Sequence, residues 1–304
     1  MDFQQFFFGT DVIAAVQEFF GLDYPFPFRV FSLLGDTWGM LFVVGLGFWL
    51  WGRRTLYPLV GIVVLGAATK VLLSSVFSAT RPSGPDIVVL EELGSSSFPS
   101  GHVYEAAGPW GLLYAMGRIR LWIAIGAVVL VGLGRLYLGV HFLGDVVAGM
   151  VFGAVFVWIY WKLWPHVAPW LAERSFGTYR ALACLVAAGA LVYLLLTDPG
   201  PRRLEVIGIA LGAAFGLPTE YRWVGYVPER SGWRVDLLKV LIGTAGLAAC
   251  IVWDRTMGDH ALWVGVAAAA LATVWVVLLA PALFARLGWG HAEAHTPLTV
   301  EAAR

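Results

Sequence analysis

Apolar residues along this chain gather into long runs separated by short polar breaks. A helix that crosses a bilayer needs about 20 mostly apolar residues. Nine segments approach that length: 37–52, 56–79, 101–117, 121–138, 142–163, 180–197, 203–221, 235–253 and 260–285. The stretch Ala261–Leu283 contains no charge at all. Residues 11–20, DVIAAVQEFF, are amphipathic and too short to span, so they are expected to lie in the membrane interface. The turn-rich run Asp23–Pro27 then leads towards the first span. The pattern predicts an all-α protein: a polytopic membrane helix bundle of about nine transmembrane helices behind an N-terminal interfacial helix. Pro and mixed charges at 164–180 suggest a seam. The expected organisation is an interfacial segment (1–34), a membrane core (35–165), additional C-terminal helices (166–286) and a polar tail (287–304).

Composition excludes the other broad classes. Of 304 residues, 59% are hydrophobic and 13% charged, whereas soluble domains carry roughly 25% charged residues. Lys plus Arg (20) balance Asp plus Glu (20), so the basic surface of a nucleic-acid binder is missing. High apolarity excludes a disordered chain. The 36 glycines suit close helix packing in lipid, and the 15 tryptophans can furnish interfacial belts. Cys184 and Cys250 lie in apolar runs and read as small buried hydrophobes. The first residues, MDFQQFFFGTD, lack a basic region and a cleavage site, so no removable leader is expected.

Charge position is more informative than charge balance. Alternating nine spans leaves Arg29, Arg81, Arg135, Arg202, Arg203 and Arg255 on one face, with Lys70 and Lys239 inside spans. The other twelve basic residues share the opposite face, which the positive-inside rule makes cytoplasmic. An integral cell-membrane protein follows, with its N-terminus outside and its C-terminus inside.

Three polar groups fall on the outer face: Arg81-Pro82, Pro99-Ser100-Gly101-His102, and Arg135 with His141 and Asp145. His141 and Asp145, four residues apart, share a helix face. A carboxylate there can fix one imidazole tautomer and leave the other nitrogen free to attack; alternatively Asp145 simply complements the helix dipole. Ser100-Gly101-His102 opens a helix whose exposed N–H groups suit phosphate, with Gly101 permitting close approach and His102 able to protonate a departing alkoxide. An ordinary helix cap is the alternative. Arg81 and Arg135 match phosphate oxygens in geometry and charge, although each alone could be an interfacial snorkeller.

The order Arg-Pro, Pro-Ser-Gly-His, Arg-x5-His-x3-Asp resembles the type 2 phosphatidic acid phosphatase superfamily, across roughly residues 35–165. The resemblance implies that His141 is the nucleophile, forming a phosphohistidine, that Asp145 orients it and that His102 is the leaving-group acid. It also implies that Arg81, Ser100, Gly101 and Arg135 cradle the phosphate, with no metal and no cofactor. One position departs from the family pattern. The family places Lys seven residues before the first Arg; here Ser74 stands there, and Lys70 lies one turn earlier on the same face. Lys70 either extends to the phosphate or pairs with a carboxylate such as Asp36 or Glu105.

The implied activity is hydrolysis of a lipid phosphate or diphosphate at the outer face. Undecaprenyl diphosphate, phosphatidylglycerol phosphate, phosphatidic acid and lipid A phosphates are all candidates. A phosphotransferase with the same intermediate and a lipid-phosphate transporter are the alternatives. The expected partners are the lipid substrate and the bilayer, with a homo-oligomer possible through the C-terminal helices and no nucleic acid. His291 and His295 read as a solvated tail, and Glu220 with Arg222 as an interfacial helix end.

Overall fold

The computed structural model describes residues 2–77, 79–91, 93, 96–172, 176–196, 201–229, 232–257 and 262–292. Helices occupy all nine predicted positions: α4 (Thr37–Trp51), α5 (Arg53–Val76), α6 (Gly101–Ala115), α7 (Leu121–Tyr137), α8 (Leu143–Ala172), α9 (Phe176–Leu196), α10 (Pro201–Thr219), α11 (Trp233–Met257), and α12 (Leu262–Val274) continuing through a π-helical segment, Trp275–Leu279, into α13 (Ala280–Arg286). They follow α1 (Phe3–Phe8), α2 (Asp11–Phe20) and α3 (Pro25–Leu33). Among the described residues, three helical stretches are long and apolar enough to cross a membrane: Leu143–Trp170, Trp233–Met257 and Trp263–Arg286. A fourth results if Pro25–Leu33 and Thr37–Trp51, bent by 56°, form one span. Helices α6 and α7 have only 15 and 17 residues, and α5 carries Arg53, Arg54 and Lys70.

The prolines at 25 and 27 start a helix where the sequence suggested a turn. Pro25 occupies its first position, where a missing N–H costs nothing and the fixed φ suits helix. Cys184 also departs from expectation. It is exposed on α9, whereas Cys250 is buried, because an apolar run in such a chain supplies outward as well as inward faces.

The chain divides into two compact units, residues 1–40 with 58–163 and residues 41–57 with 164–304. In the first, α7 packs against α3 and α6. Phe28 stacks on Tyr137 with centroids 3.6 Å apart, and Leu138 and Val140 complete this core at the end of α7. Helix α8 approaches α6 through Gly149 and Gly153. A Cβ at these positions would stand 2.8 Å from the Ser100 carbonyl oxygen and 2.4 Å from Ala107 Cβ. Only hydrogen fits at either position, so the N-terminus of α6 sits hard against α8.

Helix α2 has a structural task that its length did not suggest. The buried Gln17 amide donates to the carbonyls of Val88 (2.7 Å) and Tyr137 (2.8 Å), while its Oε1 accepts from Val88 N at 3.0 Å. One side chain thereby ties the 77–100 connection to the end of α7.

In the second unit α10 packs along α12. Gly208 and Gly212 make this possible: a Cβ would meet the Val266 carbonyl oxygen at 2.3 Å and that of Ala270 at 2.5 Å. Small residues four apart allow such backbone approach. Glu220 is not interfacial as expected. It is fully buried, its carboxylate 3.1 Å from Arg53 Nε and accepting from Tyr226 N at 2.9 Å. Burial of both charges is tolerable because the pair is hydrogen-bonded throughout. A small antiparallel pair, β1 (Tyr226–Pro228) with β2 (Gly290–Ala292), aligns Val227 with His291. His291 lies 3.2 Å from Glu229; His295 falls outside the described residues.

Candidate active site

The three polar blocks converge within the first unit. His141 and Asp145 are both buried at the turn from α7 into α8. Asp145 Oδ2 accepts from Phe142 N at 2.8 Å, which fixes the carboxylate at the helix start, and stands 3.4 Å from His141 Nδ1. The opposite ring nitrogen, Nε2, is 3.4 Å from Arg81 Nη1. A carboxylate at Nδ1 favours the tautomer protonated there, leaving the Nε2 lone pair on the side of the guanidinium. Burial lowers the His141 pKa from its ordinary 6.5 to about 4; the Asp145 hydrogen bond opposes the shift, and the positive charges of Arg135 and Arg81 add to it. The imidazole is therefore neutral at pH 7.

Arg81 is held by two carbonyls, Val140 (2.8 Å to Nη1) and Ser96 (3.2 Å to Nη2). Arg135 is almost wholly buried, and its Nη1 bonds Glu91 Oε2 at 3.0 Å. Ser100 caps α6; its N–H donates to the Asp145 carbonyl at 3.0 Å. Its buried hydroxyl has no hydrogen-bond partner among the described residues, a group poised for a further acceptor. Gly101 and half-buried His102 form the first turn of that helix.

Lys70 reaches the same turn. Its Nζ bonds Glu105 Oε2 at 2.6 Å, and a Cβ on Gly101 would lie 2.6 Å from Lys70 Cε and 3.2 Å from Nζ. Lys70 therefore both pairs with Glu105, one of the two carboxylates anticipated, and lies along the Ser100–Gly101 backbone. Asp36, the other, accepts from Gly39 N at 2.9 Å.

Sequence reasoning missed Ser97 and Glu91. Buried Ser97 donates from its hydroxyl to Asp145 Oδ2 and lies 3.5 Å from His141 Nδ1. The serine run before Pro99 was the available signal. Glu91 lines a cleft of about 560 Å³ together with Arg81, Pro82, Val89, Leu93, Gly139 and Val140. Among the described residues, no three His, Cys, Asp or Glu side chains gather as a metal site.

Long apolar helices define an integral membrane protein, and its first unit gathers Arg81, Arg135, His141 and Asp145. Residues 55–168 match the family model of the PAP2 superfamily, and residues 204–293 match that of the PAP2 superfamily phosphatase transmembrane extension. The chain belongs to the PAP2 superfamily. It is similar to sphingosine-1-phosphate phosphatase 1 of Mus musculus, 28% identical over 220 residues covering 64% of this chain and 49% of that protein. The Rattus norvegicus protein of the same name is also 28% identical, over 60% of this chain and 46% of its own length. Phosphatidylglycerophosphatase B of Bacillus subtilis (strain 168) is 32% identical over 126 residues, 38% of this chain and 61% of that protein. The chain thus spans about half the length of the sphingosine-1-phosphate phosphatases. No solved structure matches it significantly.

Proposed function

We propose that this chain hydrolyses a lipid phosphate or diphosphate through a phosphohistidine on His141. The observation that carries the reading is the polarised imidazole, with Nδ1 on Asp145 and Nε2 towards Arg81. Nε2 attacks phosphorus, the ester P–O bond breaks, and His102 protonates the departing alkoxide. Water then attacks the phosphohistidine, His102 takes its proton, the P–N bond breaks, and phosphate leaves. Arg81, Arg135, Ser100, the Gly101 backbone and Lys70 hold the phosphoryl oxygens and offset charge as it develops. This scheme requires no metal ion.

Long-chain phosphate monoesters are the favoured substrates, since the relatives are named for sphingosine-1-phosphate and phosphatidylglycerophosphate. The reading places the catalytic core in 35–165, with all nine helices crossing the bilayer. The site then faces outward and the C-terminus is cytoplasmic, as the basic-residue asymmetry favours.

The test is phosphate release from a panel of lipid phosphates by purified protein, with EDTA and vanadate. Activity that persists in EDTA, stops with vanadate and vanishes in His141→Ala is expected. Full activity in His141→Ala refutes the scheme.

A further inference from the structure

The cleft of about 560 Å³ is lined by one cation and one anion, Arg81 and Glu91, on an apolar surface that includes Pro82, Val89 and Leu93. Glu91 Oε2 accepts from Arg135 Nη1 at 3.0 Å; Arg135 is 1% exposed and Glu91 22%. A phosphate bound at Arg135 therefore lies beside a negative charge. The repulsion grows with the charge of the ligand, so Glu91 opposes any phosphate that brings no cation of its own.

We infer that Glu91 receives an ammonium of the substrate, and that the cleft selects long-chain amino-alcohol phosphates with the ammonium on the carbon next to the ester carbon. The inference rests on the reading of Arg135 as a phosphate ligand and names the substrate class of that same site. Glu91 and the phosphate share one guanidinium, whose N–H donors form a rigid planar fork. Anions on adjacent edges of that fork stand only a few bond lengths apart. In an amino-alcohol phosphate one oxygen and two carbons separate phosphorus from nitrogen, which brings the ammonium beside Glu91. A carboxylate has about four acceptor sites, so it can take an ammonium N–H while it keeps Arg135.

Charge balance points the same way. Lys70 and Glu105 cancel, and His141 is neutral at pH 7. Arg81 and Arg135 against Glu91 then leave one net positive charge. A phosphate monoester carries about −1.5 to −2 near neutral pH, and a single ammonium brings the ligand close to the opposite of that charge. Such matching contributes specificity more than raw affinity. A polyprenyl phosphate or a phosphatidic acid has no such cation and leaves the carboxylate facing the phosphate alone. Glu91 thus recognises the leaving group and takes no part in bond making or breaking, while the apolar surface receives the start of the chain.

The test uses two long-chain phosphonates, in which carbon replaces the ester oxygen so that no turnover occurs. One carries the ammonium at the stated position and the other a hydroxyl, so the two differ in charge at similar size. Their binding to the full chain in detergent micelles is followed by phosphorus NMR for wild type, Glu91→Gln, Glu91→Ala and Arg135→Ala. The kcat/KM values of the two matching phosphates supply a second readout. Wild type is expected to favour the ammonium ligand at least about tenfold, a difference of about 1.4 kcal/mol. In both Glu91 variants that preference should fall to about threefold or less. A ratio between two ligands on one variant is insensitive to general damage to the site. Absence of the preference in wild type, or its survival in the Glu91 variants, overturns the inference. Binding of both phosphonates left intact by Arg135→Ala overturns the underlying cradle reading instead, so the two failures are distinguishable.

Discussion

Lys70 carries the sharpest test of how the site is assembled, because its structural and chemical roles separate in a double variant. The ammonium lies 2.6 Å from Glu105, with Lys70 37% and Glu105 9% exposed. Removing one partner of a fully buried ion pair costs about 3–5 kcal/mol. Lys70 is more than a third exposed, and solvent screening reduces the figure for Lys70→Met to about 1–2 kcal/mol. Glu105→Gln in the same background removes the stranded charge and should recover most of that loss. The chemical role behaves differently. A charge-assisted hydrogen bond is worth about 1.5–3 kcal/mol, and half-exposure of Lys70 places its effect on phosphate at the lower end, about tenfold in kcat/KM. Lys70→Met is therefore expected to lower both the melting temperature in micelles and kcat/KM. The double variant should recover melting temperature alone. If kcat/KM also returns in the double variant, or never falls in Lys70→Met, Lys70 serves only Glu105.

Three further outcomes follow from the same geometry. Ser97→Ala removes one of the hydrogen bonds on Asp145 Oδ2, about 1 kcal/mol, so kcat should fall about fivefold in phosphate-release assays; an unchanged kcat would show that Phe142 N suffices to hold the carboxylate. Since the His141 pKa is lowered from 6.5 to about 4, the unfolded chain binds a proton between those values that the folded chain does not. Stability should rise with pH across that window, with the contribution complete above 6.5; the ring, followed by NMR, should stay neutral at pH 5.5, and a midpoint near 6.5 would contradict the burial argument. In the second unit, Arg53→Met strands the buried Glu220 carboxylate and should cost about 3–5 kcal/mol in denaturation experiments. Adding Glu220→Met should return much of it, and a double variant as unstable as the single would refute the pairwise account.

The limits of what could be read from the chain are physical. Hydropathy located the helices because apolar runs are a local property, and the closeness of His141 to Asp145 was legible from their short separation, although His141 lies in the turn before α8 rather than on a shared helix face. Residues joined by long-range contacts were not legible. Glu220 looked like a helix-end charge because its partner Arg53 is 167 residues away. Gln17 looked like one polar position of an amphipathic helix, yet its partners are 71 and 120 residues distant. Lys70 could be placed on the correct helix face, but only the close approach of its Cε to Gly101 shows where the chain extends. Glu91 and Ser97 lay in a connection without periodicity, where nothing local distinguishes a residue that bonds Arg135 or Asp145 from its neighbours.

That connection is where the site acquires its order. The 77–100 segment has no regular secondary structure of its own among its described residues, yet it contributes Arg81, Glu91 and Ser97. It is fastened at three places: Val88 to Gln17 of α2, Ser97 N to the Ala79 carbonyl at 3.0 Å, and Leu90 N to the Leu138 carbonyl at 3.0 Å. Gly139 accepts the approach by taking φ +70°, and a Cβ there would stand 2.5 Å from the Val88 carbonyl oxygen. An irregular segment held in this way can present a guanidinium and a carboxylate to the cleft as firmly as a helix would. The short α2, too short to span a bilayer, is one of its anchors. Loosening it by Gln17→Ala should therefore disturb Arg81 and His141 and lower kcat in phosphate-release assays, and an unchanged kcat would show that the other two fastenings suffice.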